Sequence, residues 1–311
     1  MNKDVLSVLP PTISDILLSF PDEVKGQIEE IRIRVLRPLE VIASGSPLYP
    51  SVKGAGEYIV QKDDARFILN QLSQYSLYAF EEELKRGFIT LKGGHRVGLA
   101  GKVILEKGEV KTLRDISSFN IRVARQTLGA AEPLISKLYD NGWKNSLLIG
   151  PPQSGKTTLL RDLARIISTG FPSKQIQPMK IGIVDERSEI AASIKGVPQH
   201  QLGKRVDVLD ACPKAEGMMM MIRSMSPEVL IVDEIGRVED CLAVREAIHA
   251  GVRVISTAHG TSLEEVAARP ALRTLFEENA FERCVELIRG SKPGSVKQVR
   301  TIGKRVTVKI Q

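Results

Sequence analysis

The chain is organised around residues 150–158, which read Gly150-Pro151-Pro152-Gln153-Ser154-Gly155-Lys156-Thr157-Thr158. The apolar run Ser146-Leu147-Leu148-Ile149 before them predicts a short buried strand, and the apolar spacing after Thr158 is that of a helix. A strand, a loop with the pattern G-x-x-x-x-G-K-[ST] and a helix together are typical of a phosphate-binding loop. Gly150 and Gly155 permit backbone geometry that turns successive N–H groups towards phosphate oxygens. The sequence therefore predicts a nucleotide-binding site.

All nine residues of this loop are predicted to contact ATP. The ammonium group of Lys156 would reach the β- and γ-phosphates, and the hydroxyl of Thr157 would bind Mg²⁺. The helix that follows directs its positive end at the same anion. ATP and Mg²⁺ are therefore the predicted ligands.

A second motif ends in two adjacent carboxylates. Val229-Leu230-Ile231-Val232 is an apolar run followed by Asp233 and Glu234. In this arrangement Asp233 is predicted to hold Mg²⁺, and Glu234 to polarise the water that attacks the γ-phosphate. Such a strand is a weak signal alone, because many buried strands end at an acid. Together with the upstream loop it predicts ATP hydrolysis.

The run Ile181-Gly182-Ile183-Val184 also ends in acids, here Asp185 and Glu186. If this strand lies beside the strand of the phosphate-binding loop, its carboxyl end faces the γ-phosphate. Asp185 or Glu186 would then orient the attacking water or a magnesium-bound water. The alternative is that these acids stabilise the N-terminus of a helix around Glu189.

Two further candidates lie near predicted strands. His259 ends the apolar strand Val254-Ile255-Ser256-Thr257-Ala258. A polar side chain at that edge can respond to the presence of the γ-phosphate and transmit the response to the next helix, so His259 is also a catalytic candidate. The alternative is that His259 only forms a structural hydrogen bond. Arg223 is predicted either to sense phosphate or to act as a cation at a helix end.

The order of elements predicts the architecture. From residue 129 to 311 helices and strands alternate, beginning with a helix from Ala131 to Tyr139, which favours an α/β domain with a mainly parallel sheet. After Ala280 the pattern becomes β again and predicts a short β extension. Residues 1–128 combine short strands, a glycine-rich ribbon and helices, and predict a smaller α+β domain.

Composition sets broad limits. With 42% hydrophobic and 26% charged residues, the 311-residue chain resembles an ordinary globular protein of two domains. It has no apolar run of the roughly 18 residues that span a bilayer and no signal-peptide pattern, so we expect it in the cytoplasm. Cys212, Cys241 and Cys284 lack C-x-x-C spacing, which argues against disulfides and zinc. The net charge of +7 indicates an anionic partner.

Taken in order, these motifs resemble those of the type II/type IV secretion ATPase superfamily, and the resemblance covers nearly the whole chain. Residues 150–158 match its Walker A motif, and residues 223–236 and 257–259 resemble its Walker B region and histidine box. Residues 185–189 resemble its acidic box. The branch that acts in sporulation is the nearer match, on the segments 94–99, 207–215 and 223–228. Asp233 departs from the superfamily pattern, which usually has glycine before the glutamate.

The resemblance implies a RecA-like P-loop ATPase domain behind the N-terminal domain, assembled as a ring that is expected to be a homohexamer. It implies ATP hydrolysis in the mother cell during endospore formation, at the membrane facing the forespore. The expected partners there are integral membrane proteins of a secretion-like channel. In relatives, arginines of the N-terminal domain approach the ATP phosphates, and Arg96, Arg122 and Arg125 are the candidates in this sequence.

Two other functions fit the same motifs. One is a RecA-like ATPase that depends on nucleic acid, since from Leu287 onward the chain has no acid and seven basic residues: Arg289, Lys292, Lys297, Arg300, Lys304, Arg305 and Lys309. This segment has no aromatic residue on which bases could stack, so nucleic acid is the less favoured partner. The other is a scaffold of the channel that binds nucleotide without hydrolysing it.

Overall fold

The computed structural model describes residues 2–52, 56–73, 84–85, 87–124, 126–290 and 292–302. The chain divides into two compact units, Met1–Arg125 and Gln126–Gln311. One hydrophobic core lies in the first unit and two lie in the second. Of the residues singled out above, Arg125, Lys304, Arg305 and Lys309 lie outside the described residues.

The first unit is built on a six-stranded antiparallel sheet. Its helices are α1 (Lys3–Leu6), α2 (Pro11–Leu18), α3 (Asp22–Gln27) and α4 (Lys62–Ser73). Its strands are β1 (Ile28–Arg34), β2 (Glu40–Ala43), β3 (Ser46–Leu48), β4 (Ser51–Val52), β5 (Gly56–Glu57), β6 (Phe88–Thr90), β7 (Arg96–Glu106) and β8 (Glu109–Arg122). The sheet order is β3-β2-β1-β8-β7-β6, while β4 and β5 pair separately. The α+β prediction for this unit is confirmed.

The long ribbon of β7 and β8 follows from its turn residues. Lys107 and Gly108 both have positive φ, 53° and 84°, the geometry that closes a tight antiparallel hairpin. Apolar side chains then alternate along the strands, and Val97, Phe119 and Ile121 are buried in the core of the unit.

The second unit is a seven-stranded sheet between helices. Its strands are β9 (Ser146–Gly150), β10 (Ile181–Asp185), β11 (Val206–Asp210), β12 (Val229–Val232), β13 (Arg253–His259), β14 (Arg283–Leu287) and β15 (Val296–Thr301). Its helices are α5 (Ile135–Leu138), α6 (Lys156–Thr169), α7 (Lys214–Ser224), α8 (Val238–His249), α9 (Leu263–Ala267) and α10 (Pro270–Glu277). The order β11-β10-β12-β13-β9-β14-β15 is parallel except where β15 meets β14. The α/β prediction is confirmed.

One detail differs from the sequence expectations. The predicted helix Ala131–Tyr139 is a 3-10 turn, Glu132–Leu134, followed by the single helical turn α5. Extended dihedral angles at Tyr139 end the helix, and a bridge from Tyr139 to Trp143 closes the turn that follows. The β extension predicted after Ala280 is present as β14 and β15, and β14 pairs in parallel with β9, so it widens the main sheet.

The parallel strands bring their carboxyl ends to one edge of this sheet, where the loops that follow them meet. Most of the residues predicted for the site lie in the loop after β9, at the ends of β10 and β13, and directly after β10 and β12. Of the helices in the part of the chain that the structure describes, none has both the length and the apolar character that crossing a membrane requires.

Candidate active site

Residues 150–158, here called the 150–158 loop, join β9 to α6. Gln153 and Gly155 have φ angles of 64° and 89°, so the backbone turns through left-handed conformations before α6 begins at Lys156. Alternation of this kind turns consecutive N–H groups to one side and makes a concave anion site. The N-terminus of α6 faces the same side with its positive dipole end.

Lys156 lies across the 150–158 loop. Its Nζ donates to the carbonyl oxygens of Gly150, at 2.7 Å, and Pro151, at 3.1 Å. Burial lowers the pKa of this lysine, whereas the charges of Asp233 and Glu234 oppose that shift. The ammonium group is thus held by two carbonyl oxygens of the loop, within the electrostatic influence of two carboxylates.

Asp233 joins the 150–158 loop to β13. Thr157 Oγ1 donates to Asp233 Oδ2 at 3.1 Å, and Thr257 Oγ1 donates to Asp233 Oδ1. A carboxylate and a hydroxyl are the hard oxygen ligands that Mg²⁺ prefers, and this ion usually keeps waters and takes substrate phosphates for its other positions. Asp233 and Thr157 therefore fit a magnesium ion held together with a nucleotide.

Glu234 follows directly and points away from the core. Its backbone has a φ of 49°, and its N–H donates to Thr257 Oγ1 at 2.8 Å. Its exposed carboxylate accepts from Arg187 Nη1 at 3.0 Å. The backbone of Glu234 is thus held by Thr257 and its carboxylate by Arg187, while the carboxylate remains exposed to water.

Asp185 and Glu186 were predicted to act on water only if their strand lies beside the strand of the 150–158 loop, and that condition is wrong. β12 and β13 lie between β10 and β9 in the sheet. The alternative was wrong as well, because no helix begins at Glu189 in the described chain. A strand's place along the sequence did not give its place in the sheet.

Asp185 is buried and holds the loop that follows it. Its two carboxylate oxygens accept three backbone hydrogen bonds, from the N–H groups of Glu189, Ile190 and Ala191 at 2.8, 3.0 and 2.8 Å. Burial raises the pKa of this carboxyl group even though these N–H donors favour its ionised form. These contacts favour a structural role over the orientation of water.

Glu186 forms an ion pair with Lys214, which is buried at the start of α7. The pair connects the loop after β10 to the helix after β11. It turns the Glu186 carboxylate towards a lysine outside the 150–158 loop, so this contact does not favour the predicted role in water orientation.

Sequence reasoning missed Arg161. This residue lies on the buried part of α6, and its guanidinium donates to the carbonyl oxygens of Ile190 and Glu189 at 2.9 and 2.8 Å. It therefore fastens the loop held by Asp185 to the helix that starts at Lys156. The available signal was a charged residue among the apolar positions Leu159, Leu160 and Leu163.

His259 ends β13 opposite Gly150 of β9. Its Nδ1 donates to the Gly150 carbonyl oxygen at 3.2 Å, so this nitrogen carries a proton in the contact. The same carbonyl oxygen accepts from Lys156. His259 and Lys156 therefore contact the same carbonyl oxygen of the 150–158 loop. Their roles at the γ-phosphate stay predictions.

The predicted arginines lie in different places. Arg96 and Arg122 belong to the first unit, where the Arg96 guanidinium lies 3.7 Å from the ring centre of Phe88 and Arg122 Nε lies 3.4 Å from a carboxylate oxygen of Glu30. Their approach to phosphates of a neighbouring subunit stays a prediction. Arg223 lies in the last turn of α7, which runs back from the carboxyl edge of the sheet, so within its own chain it lies towards the opposite edge from the 150–158 loop. A sensor role within one chain is therefore not supported.

Solved structures share the two-unit fold at low sequence identity. The ATPase DotB of Legionella pneumophila superposes with a TM-score of 0.58 at 15% identity, covering 88% of this chain and 75% of that one. The pilus retraction motor PilT, solved with bound ADP, gives 0.57 at 15% identity, covering 87% and 77%. Identities this low establish the fold alone.

Sequence comparison gives a closer relationship. The stage III sporulation protein AA of Bacillus subtilis (strain 168) is 59% identical over 296 residues, which make up 95% of this chain and 94% of that protein. The family model described as sporulation stage III, protein AA matches residues 1–306. This chain therefore belongs to the sporulation stage III protein AA family.

Proposed function

We propose that this protein binds and hydrolyses MgATP at the edge formed by the 150–158 loop and the ends of β12 and β13, and that it does so as the ring-shaped motor of a membrane channel in sporulation. The observation that supports the proposal is the hydrogen bond from Thr157 Oγ1 to Asp233 Oδ2 at 3.1 Å, which joins the two residues predicted to bind magnesium. The motor and ATPase descriptions of the structures with the same fold support it.

The chemistry assigned to these residues is in-line attack of water on the γ-phosphate. Thr157 and Asp233 would hold Mg²⁺, which when bound neutralises developing charge on the phosphate oxygens. Lys156 would exchange its carbonyl contacts for the β- and γ-phosphates. Glu234, exposed and next to Asp233 in the sequence, would accept the proton of the attacking water.

Binding and turnover of purified full-length protein test this proposal. We expect wild type to bind MgATP in isothermal titration calorimetry and to release phosphate, and Lys156→Ala to lose both. A protein that binds MgATP without releasing phosphate would overturn hydrolysis and favour the scaffold alternative.

Assembly tests the motor. The solution mass of Glu234→Gln with and without MgATP should shift to a discrete value of about six subunits, because slow hydrolysis would trap the ring. A monomer under both conditions would contradict a ring closed by nucleotide alone.

The basic segment does not favour the nucleic-acid alternative. The guanidinium of Arg300 contacts Glu264 and lies 3.1 Å from Glu286, and Lys297 lies 3.9 Å from the same Glu286. Two of the four basic residues of this segment that the structure describes, Lys297 and Arg300, therefore already pair with carboxylates of their own chain.

A further inference from the structure

The turn between β14 and β15 lies against the 150–158 loop. Its described residues are 288–290 and 292–295, here called the β14–β15 turn. Because β14 is parallel to β9, the chain leaves both strands at the same edge of the sheet. The N–H of Gly294 donates to the Ser154 carbonyl oxygen at 2.9 Å, and Arg289 Nε donates to that of Pro152 at 3.1 Å.

The packing between turn and loop leaves no room for side chains at the contact. A Cβ atom on Gly155 would lie 2.1 Å from the backbone nitrogen of Gly294. A Cβ atom on Gly294, where φ is +83°, would lie 3.0 Å from the side chain of Leu159 in the first turn of α6. Gly155 is therefore required by the turn as well as by its own left-handed backbone.

The two hydrogen bonds fix the direction of two peptide groups. In a planar trans peptide the carbonyl oxygen and the following N–H point in opposite directions. When the turn holds the oxygens of Pro152 and Ser154, the N–H groups of Gln153 and Gly155 face away from the turn. Those are the two positions with positive φ that shape the concave side of the 150–158 loop.

We infer that the β14–β15 turn is a positioning element of the phosphate site, in which Arg289 and Gly294 hold the outer carbonyl oxygens of the 150–158 loop so that its N–H groups face the nucleotide phosphates. The inference rests on the proposed nucleotide binding and deepens it. Arg289 acts through the loop backbone. Its positive charge also raises the potential beside an anion site.

Nucleotide affinity measures this effect. We expect Arg289→Ala to bind MgADP about 10- to 160-fold more weakly in calorimetry, the range for losing one hydrogen bond from a charged donor. Turnover at saturating MgATP should stay within about 2-fold, since Lys156, Asp233 and Glu234 are untouched. Arg289→Lys, which retains charge and a donor, should recover part of the affinity, and a kcat loss equal to the affinity loss would overturn the inference.

Arg283→Ala is the matched control. Arg283 lies on β14 too, and its Nε also donates to a backbone carbonyl oxygen, that of Lys137 at 2.9 Å. We expect its MgADP affinity to equal that of wild type. An equal loss in both variants would show a general effect of disturbing β14 and overturn the inference.

Hydrogen exchange gives a readout that needs no nucleotide. In protein without added nucleotide, the amides of residues 153–156 should exchange faster in Arg289→Ala and in Gly294→Ala than in Arg283→Ala. Unchanged exchange and unchanged MgADP affinity would refute the role of the turn. If wild type binds no nucleotide, the proposed function fails, and the exchange comparison still decides whether the turn holds the loop.

Discussion

Two neighbouring strands of the second unit end in the same dipeptide, Asp-Glu. β10 leads to Asp185 and Glu186, β12 leads to Asp233 and Glu234, and the two strands pair in register at Val184 and Val232. Their carboxylates nevertheless have opposite surroundings. A motif at the end of a strand therefore does not by itself determine what surrounds its carboxylates.

The difference lies in what comes after each dipeptide. The chain after Glu186 folds back over β10, and its N–H groups occupy both oxygens of Asp185. The chain after Glu234 instead leads into α8, and Asp233 faces the hydroxyls of Thr157 and Thr257. A hydroxyl group can rotate and leave the carboxylate free to bind a metal ion, whereas a fixed backbone N–H group continues to occupy the carboxylate oxygen. One aspartate is therefore structural, and the other fits a metal ion.

The largest expected effect separates the two glutamates. Glu234→Gln should bind MgATP and release phosphate roughly 10²- to 10⁴-fold more slowly, the usual contribution of a general base. Glu186→Gln should stay within about 3-fold of wild-type turnover, because its carboxylate faces Lys214. Phosphate release at saturating MgATP measures both. Full turnover in Glu234→Gln, or equal losses in the two variants, would contradict the comparison.

The second effect separates the two aspartates by stability. Asp185→Ala leaves two buried N–H groups and one part-buried N–H group without an acceptor, at about 1–3 kcal/mol for each buried group, so we expect the free energy of unfolding to fall by about 3 kcal/mol or more. Asp233→Ala should cost about 1 kcal/mol or less, because both threonine hydroxyls can rotate to other partners. Trp143, the single tryptophan, is buried in the second unit, so its fluorescence in urea reports the unfolding of that unit.

The Asp185→Ala variant should also show a pH-dependent loss of stability. Because burial raises the folded-state pKa of Asp185, its contribution to stability is full below the unfolded value of about 3.9 and falls as pH rises through the folded value. The stability gap between wild type and Asp185→Ala should therefore widen as the pH is lowered from neutral towards about 4. A gap that narrows on acidification would contradict the raised pKa.

The sequence predicted what depends on consecutive residues. The 150–158 loop and the acids after β12 each follow their strand directly, so strand, loop and helix could be recognised without knowing the sheet order. The place of β10 could not, because the neighbour of β9 is β13, which comes later in the chain. The contact of Arg289 with Pro152 likewise joins residues 137 positions apart that no local pattern connects.

The smallest effect tests whether the two dipeptides communicate. Arg187, in the loop held by Asp185, reaches Glu234 at 3.0 Å, and both side chains are exposed. An exposed ion pair contributes about 0–1 kcal/mol, so Arg187→Ala should leave the urea transition unchanged. Turnover should fall about 2- to 5-fold, the kinetic equivalent of that energy, because the Glu234 carboxylate would lose its contact with the Arg187 guanidinium.

Salt and a second ion pair sharpen this test. Screening weakens exposed pairs, so the turnover deficit of Arg187→Ala should shrink in about 1 M salt. Arg245 on α8 forms a comparable pair with Glu278 at 2.8 Å, and Arg245→Ala should leave turnover unchanged. If both variants hydrolyse ATP like wild type at low salt, the Arg187 pair has no part in the site. A deficit confined to Arg187→Ala would instead show that the loop held by a structural aspartate also positions the base beside the metal-binding one.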